Sequence, residues 1–472
     1  MLQRPIAVNR LAMQLTNCGS FASDRLFGPG PSGEGLEFPR GSGKKVAFAG
    51  GIWLSALATG ALRTVIAEYG TEYVPGPARP NGPGLDTLRF RVYAVTRGDT
   101  AGAAEWMSRA VPLGAPVDAS GTRPGLIGDQ TLWTVFTDAG VTRPVYGPSP
   151  RTPIGLEVQL TAYAFDRAPA LQDVVFLHYV IIHKGSDPLD DVHLGLWYDA
   201  DMRTAIIPAA SDSTLDLGYV YRTTDDYAYG VAGPATGLSV LRGPRLAGRA
   251  GGLRPRSIVA WPNGTDPHDP TRIDNVLRGL YPWGAPMLDS TTSQPTLFYA
   301  WGDPVTGTGW LMPHVYDMKM ALGMGPLSAA PGDTLLLDAA LVVGQGNDRP
   351  GSVRALRDNA REARSAFADG FRSLPEPRPA ALGTLVARPL PSAREIVFDV
   401  LVPPGGAALR FDVYDLTGRR VRTIDGGMRS GGVQHVTWDG TTDDRAPARP
   451  GVYFARARVA GSEFGTRVVL IP

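Results

Sequence analysis

The chain of 472 residues holds a single cysteine, Cys18. One thiol cannot close an internal disulfide, and a structural zinc site needs several thiolate or imidazole ligands. Extracellular life is allowed, but without disulfide staples, and Cys18 reads as a small buried apolar residue. Charge of one sign is equally scarce: 46 Lys and Arg against 45 Asp and Glu leave a formal net charge of +1. Phosphate backbones and anionic lipid are held by concentrated basic surface, so nucleic-acid binding is not expected. Long apolar runs are missing too. The uncharged stretch from Val46 to Leu62 is interrupted by Gly50, Gly51 and Gly60 and falls short of the ~20 residues that span a bilayer. It reads as two buried strands, and no transmembrane segment is expected. The start Met1-Leu-Gln-Arg-Pro5 lacks a basic stretch, an apolar stretch and a small-residue cleavage site, so no secretory signal is visible. An exported protein would here be a mature or shortened chain.

What is present points to β structure. With 43% hydrophobic and 19% charged residues the chain can bury large cores, and its length exceeds what one core usually serves. The 58 glycines and 42 prolines suit many turns between short strands. Alternating Leu11, Met13 and Leu15 predict a half-buried strand within 9–21, and further strands are expected at Val46 to Leu57, Leu62 to Tyr69, Leu88 to Val95 and Thr131 to Phe136. From 154 on, branched and aromatic residues dominate Ile154 to Phe165, Val174 to His183 and Val192 to Tyr198. Asp187-Pro-Leu-Asp190 makes a connection of hairpin length, and Leu217 to Arg222, Tyr227 to Val231, Leu297 to Trp301 and Thr334 to Val343 complete the series. Between Ser352 and Phe371 the residues Val353, Leu356, Ala360, Ala363 and Phe367 recur at helical spacing, with Ser352 as a cap and Gly370 as a stop. The reading is all-β: residues 1–150 an N-terminal β-rich region that either stands apart or joins the main sandwich, 151–350 a β-sandwich body, 351–371 one closing helix, 372–379 a stiff linker, and 380–472 a second β-domain.

Chemistry-bearing motifs are few. Gly28-Pro-Gly-Pro-Ser-Gly33 has the glycine spacing of a dinucleotide turn, but its prolines and the extended segment after it do not suit a helix start. Gly41-Ser-Gly-Lys44 lacks the leading glycine and the metal-binding hydroxyl of a phosphate loop. No cofactor is expected from either. Among the six histidines, His178 and His193 sit on consecutive strands where their side chains could meet, without a third ligand or a Gly-x-Ser-x-Gly elbow. No catalytic residue is assigned. Asp199, Asp201, Asp212 and Asp216, continued by Asp225 and Asp226, form the acidic segment with plausible ligand chemistry. Calcium takes several carboxylate and carbonyl oxygens from a flexible loop; the alternative is a set of solvated acids capping turns. Trp261, Trp283, Trp301 and Trp310, interleaved with Tyr281 and Tyr299, either pack a core or stack on sugar faces.

The closing segment adds a resemblance. Tyr414-Asp-Leu-Thr-Gly-Arg-Arg-Val421, His435 to Trp438-Asp-Gly440, Gly451-Val-Tyr-Phe454 and Arg467-Val-Val-Leu470 resemble the immunoglobulin-like domain of flagellar hook-capping proteins and of the C-terminal sorting domains of type IX secretion cargo. Ala49-Gly-Gly-Ile-Trp53, Leu277-Arg-Gly-Leu280 and Ala330-Pro-Gly-Asp333, among other phrases, resemble large exported proteins that carry such domains. The resemblance implies an immunoglobulin-like sandwich at 380–472 and an extracellular or outer-surface setting; it brings no catalytic residues. The expected function is structural and non-enzymatic, through self-association or contact with other surface proteins. The alternatives are a glycan-binding or carbohydrate-active protein, whose hydrolase form needs two acids ~5 to 10 Å apart, and a hook-capping scaffold.

Overall fold

In the computed structural model, the long apolar runs become two large antiparallel sheets that are buried on both faces. The structure describes residues 2–23, 35–68, 70–78, 88–139, 152–166, 171–200, 207–226, 228–267, 269–312, 316–374, 385–388, 396–402, 406–429 and 432–470. The chain divides into two compact units, residues 1–95 with 105–375, and residues 96–104 with 376–472.

In the first unit, one sheet runs Ser257–Pro262, Met318–Ala329, Leu189–Asp199 and Ala49–Ala58, then Ser20–Phe21, Ala12–Thr16, Leu36–Glu37 and Lys45–Ala47. The other runs Ala209–Asp212, Leu217–Val220, Ala235–Leu246, Thr334–Gly344, Val174–His183, Leu156–Ala164, Gln130–Thr137 and Val74–Pro75. Strands from before and after residue 150 share both sheets, so the N-terminal region is part of the sandwich. Ala49–Ala58 is buried along nearly its whole length, a burial its pairing with Leu189–Asp199 helps to supply.

Between the sheets lie Ile52, Leu54, Leu194 and Leu196 from the first and Val158, Leu160, Leu177 and Leu337 from the second. The alternate residues of the same strands point outward and are mixed: polar groups such as Gln159, Thr161, His178 and Asp338 lie beside apolar patches that need a second cover. On the outer face of the first sheet Trp53 and Trp197 stack at 6.3 Å with planes 10° apart, and Trp261 lies 5.9 Å from Trp53. Ile273, Val276 and Leu277 of helix Pro270–Leu277 close over them. On the outer face of the second sheet Tyr163, Phe176, Ala340 and Val342 meet Val353, Leu356, Ala360 and Ala363 of helix Arg349–Ala368. Full burial of one such side chain is worth about 1.5–3 kcal/mol, which makes each cover a large term in stability.

Several local expectations change. The long helix starts four residues earlier than its apolar repeat suggests: the Asp348 carboxylate accepts from the Gly351 amide at 2.6 Å, while Ser352 sits inside the first turn and donates to the Asp348 carbonyl. Its end agrees with Gly370, at φ 68°. Helix Pro270–Leu277 was not anticipated, although Asp269 before Pro270 is a start signal; Asp269 accepts from the Arg272 amide. A second unanticipated helical stretch runs through Thr100–Glu105, Trp106–Ala110 and Val111–Leu113. Leu297 to Trp301 is not a strand, since only Phe298 bridges to Ile258. Asp187-Pro-Leu-Asp190 is not a hairpin either: Val174–His183 pairs in the second sheet and Leu189–Asp199 in the first, so the short link crosses the core. Tyr227 lies outside the described residues, and Asp226 and Gly230 close a tight turn where a strand was expected. Gly50 and Gly51, which interrupt the apolar run, are close-approach residues: a Cβ would stand 2.3 Å from the Phe21 ring and 2.2 Å from the Ala67 carbonyl, respectively.

The second unit contains a seven-stranded sandwich. Leu385–Arg388, Ile396–Val402 and Gly432–Trp438 form one sheet; Arg420–Arg429, Ala407–Asp415, Gly451–Val459 and Ser462–Leu470 form the other. Phe398, Phe411, Val413, Trp438, Ala455 and Val468 fill its core. The Tyr453 hydroxyl reaches back to the Arg449 carbonyl at 2.5 Å, as in the tyrosine corner of immunoglobulin-like folds. Among the described residues no helix is long and apolar enough to cross a membrane.

Gly344 tests the helix cover. A Cβ there would stand 2.0 Å from the Leu356 amide nitrogen, so Gly344→Ala must push helix Arg349–Ala368 off its sheet. The expected loss is at least ~2 kcal/mol, read as a drop of several degrees in the thermal midpoint of the sandwich.

Candidate functional site

The acidic segment is brought mainly to arginines. Asp199 is buried at the end of its strand in the first sheet, whereas Asp212 and Asp216 flank a turn of the second sheet. Asp201 lies outside the described residues. Asp212 is 3.3 Å from Arg357, which also meets Asp303 at 2.7 Å. Asp225 pairs with Arg349 at 2.6 Å, and Asp226 with Arg222. Among the described residues no three of His, Cys, Asp and Glu are gathered as a metal site.

The two sheets also keep His178 from His193. The ring of His178 bonds through Nδ1 to Asp338 on the neighbouring strand at 2.6 Å. His193 donates from Nε2 to Asp191 at 3.2 Å, within a network in which Arg278 reaches Asp191 and Asp274, and Ser55 donates to Asp274. Burial first, and then the Arg278 charge, push the His193 imidazole below its usual 6.5. His268 and His314 lie outside the described residues, as does Gly28 to Gly33. The Gly41 to Lys44 turn feeds strand Lys45–Ala47 and no helix. Of the tryptophans, Trp261 and Trp310 are buried, while Trp283 and Trp301 are 55% and 45% exposed. Trp283 stacks on Tyr281 at 4.8 Å, and the Trp301 ring N–H donates to Asp289.

A half-open cavity lies where the end of helix Arg349–Ala368 meets strand Ala235–Leu246 and the loop after it. It has a volume of about 450 Å³, opens to solvent, and is lined by Asp216, Arg242, Arg245, Arg249, Arg254 and Arg364, with Gly243, Gly251 and Gly252 among its walls. Gly243 lets the loop fold back, since a Cβ there would stand 1.4 Å from the Leu253 carbonyl. Asp216 is the anchor. Its side chain is 4% exposed and accepts a fork from Arg254 at 3.0 and 2.7 Å and a bond from Arg364 at 3.0 Å. Arg364 is further held by the Leu215 and Val240 carbonyls, and Arg254 by the Ser213 carbonyl. Arg245 reaches Asp338 at 3.3 Å, and Arg242 lies 5.0 Å over the Phe367 ring. The sequence reading missed this site because its arginines are scattered over more than 120 residues. The nearest local signal was the run of arginines and glycines from Arg242 to Arg256.

In the second unit, Asp415 orders the turn of the quoted motif. Bonds from Thr417 first, and from Arg419, pull its carboxyl down to about 2. The outermost strand Ser462–Leu470 registers with Gly451–Val459 over nine residues without a shift, and among the described residues no strand pairs with its other edge.

Residues 392–462 match the FlgD Ig-like domain. No curated protein matches the chain. Among solved structures, the chain is similar to FlgD from P. aeruginosa at 24% identity, covering 16% of this chain and 59% of that one with a TM-score of 0.14. It is similar to a polysaccharide lyase at 10% identity, covering 92% and 40% with a TM-score of 0.25, and to latent PorU from Porphyromonas gingivalis at 12% identity, covering 74% and 32% with a TM-score of 0.18. The chain thus spans less than two thirds of the length of each.

Two measurements probe these networks. Asp216→Ala leaves Arg364 held between strands without its carboxylate, and should cost about 2–4 kcal/mol in urea unfolding, with Asp216→Asn milder. A histidine whose folded pKa is lowered takes up its proton more readily when unfolded, so its neutral-state stabilisation is lost as pH falls below 6.5. His193→Gln should therefore flatten the decline of the unfolding midpoint on acidification through that window.

Proposed function

We propose that the protein works outside the cell as a non-enzymatic surface component that associates, through β-domain contacts, with copies of itself or with other surface proteins. The observation that supports this most is the edge of strand Ser462–Leu470. A long regular edge offers a row of backbone amides and carbonyls to a further strand, here over the part of it that Leu385–Arg388 does not approach. The opposite outer strand, Arg420–Arg429, has two register shifts, and bulges of this kind discourage edge pairing. The surface setting draws on the FlgD Ig-like domain at 392–462 and on the likeness of 380–472 to domains of exported proteins. That match stays within the last hundred residues, so a hook-capping scaffold is not extended to the sandwich.

A second reading, contact with carbohydrate, draws on Trp283 and Trp301, whose exposed rings suit the faces of sugars. Trp261 and Trp310 belong to the interior and do not add to it.

Successive amides of a strand point in opposite directions, so of Gly465 and Thr466 one directs its N–H away from Gly451–Val459. Gly465→Pro and Thr466→Pro, made singly, separate the two roles. The outward position should abolish concentration-dependent association in sedimentation velocity with little change in Tm; the inward one should lower Tm. A wild-type chain that stays monomeric at all concentrations, or association that survives both variants, overturns the proposal.

A further inference from the structure

The geometry points to the arginine-lined cavity of the sandwich as a binding site for a small polyanion, a ligand of sugar-oligomer size carrying at least two carboxylate or sulfate groups. This does not depend on the association proposed above. Five guanidiniums line the cavity, and among the described residues two carboxylates answer them, Asp216 at its wall and Asp338 behind Arg245. Arg242 and Arg249 form no ion pair among the described residues; Arg242 rests on the Phe367 ring. Like charges gathered without counter-charge repel one another. Asp216 and the Ser213, Leu215 and Val240 carbonyls tie Arg254 and Arg364 in place without help from the other cations.

The chemistry of the cations narrows the ligand. A guanidinium stays protonated across the physiological range and presents a planar fork of donors that matches the paired oxygens of a carboxylate or sulfate. Arg254 and Arg364 are held in advance by Asp216 and by the Ser213, Leu215 and Val240 carbonyls, so little ordering is left to do on binding. The volume, about 450 Å³, falls in the range of small-molecule sites, roughly 300–1,000 Å³, which is the scale of an organic ligand and not of one lone ion. Gly243, Gly251 and Gly252 add no side chains to the walls, leaving the entrance open to a chain-like ligand.

The test is calorimetry on the full chain with four probes: a sulfated oligosaccharide, a uronate oligosaccharide, a neutral oligosaccharide of the same length, and inorganic sulfate. At least one acidic oligosaccharide should bind, weakening with added salt, and should exceed inorganic sulfate by about tenfold or more. Arg242→Gln and Arg249→Gln should each reduce that affinity about tenfold; Arg249→Gln should leave the Tm unchanged, because its side chain is paired to no acid among the described residues, and Arg242→Gln should lower it only by the loss of its contact with the Phe367 ring. The two acidic probes distinguish sulfate from carboxylate as the preferred group. The inference is overturned if neither acidic probe binds up to about 10 mM, if the neutral probe or inorganic sulfate binds as tightly, or if affinity survives in the double variant.

Discussion

The sandwich rests on one constraint: each of its sheets carries an apolar, aromatic patch on its outer face as well as an apolar inner face, so each needs a cover as well as a partner. Trp53, Trp197 and Trp261 would form an exposed aromatic patch without helix Pro270–Leu277. Tyr163, Phe165 and Phe176 would do so without helix Arg349–Ala368 and Phe371, whose ring lies 4.8 Å from Phe165. Such patches are rarely left open on soluble domains. The covers are therefore as much part of the core as the strands, and Gly344 is the point where sheet and helix backbones come closest to merging.

The polar chemistry of the first unit follows from that cover. Arg357 and Arg364 are two helical turns apart and border the same apolar stripe. Docking the stripe on the second sheet carries both guanidiniums to the hairpin 209–220, where Arg357 meets Asp212 and Arg364 meets Asp216. A carboxylate as enclosed as Asp216 needs charged donors, and Arg254 supplies the second set from the neighbouring loop. Once those acids are satisfied, Arg242 and Arg249 remain as surplus charge around the cavity. The same acids that the sequence offers as oxygen ligands thus acquire guanidinium partners through packing.

Much of the architecture was legible in the chain. Branched residues mark Val174 to His183 at its observed limits, and a 3.6-residue repeat marks the helix to within four residues, because both are local signals. The second unit was legible for the same reason, with Gly418 and Gly440 marking its turns. Pairing was not. The link Asp187 to Asp190 has hairpin length and turn residues, yet it joins two sheets, since both flanking strands find longer partners elsewhere. Helix Pro270–Leu277 was overlooked because eight residues with three apolar positions are marginal alone; the tryptophans beneath it stabilise it.

By itself the sequence determined the all-β class, the closing helix, the immunoglobulin-like segment near the C-terminus and the absence of disulfide staples, because each depends on residue type, spacing or count. Only the tertiary structure decided that residues before and after 150 share both sheets, that His178 and His193 lie in different ones, and that Arg242, Arg245, Arg249, Arg254 and Arg364 line one cavity. Those facts depend on which strands pair and which faces dock. Long-range burial selects among pairings that are locally alike, and no window of the chain contains that information.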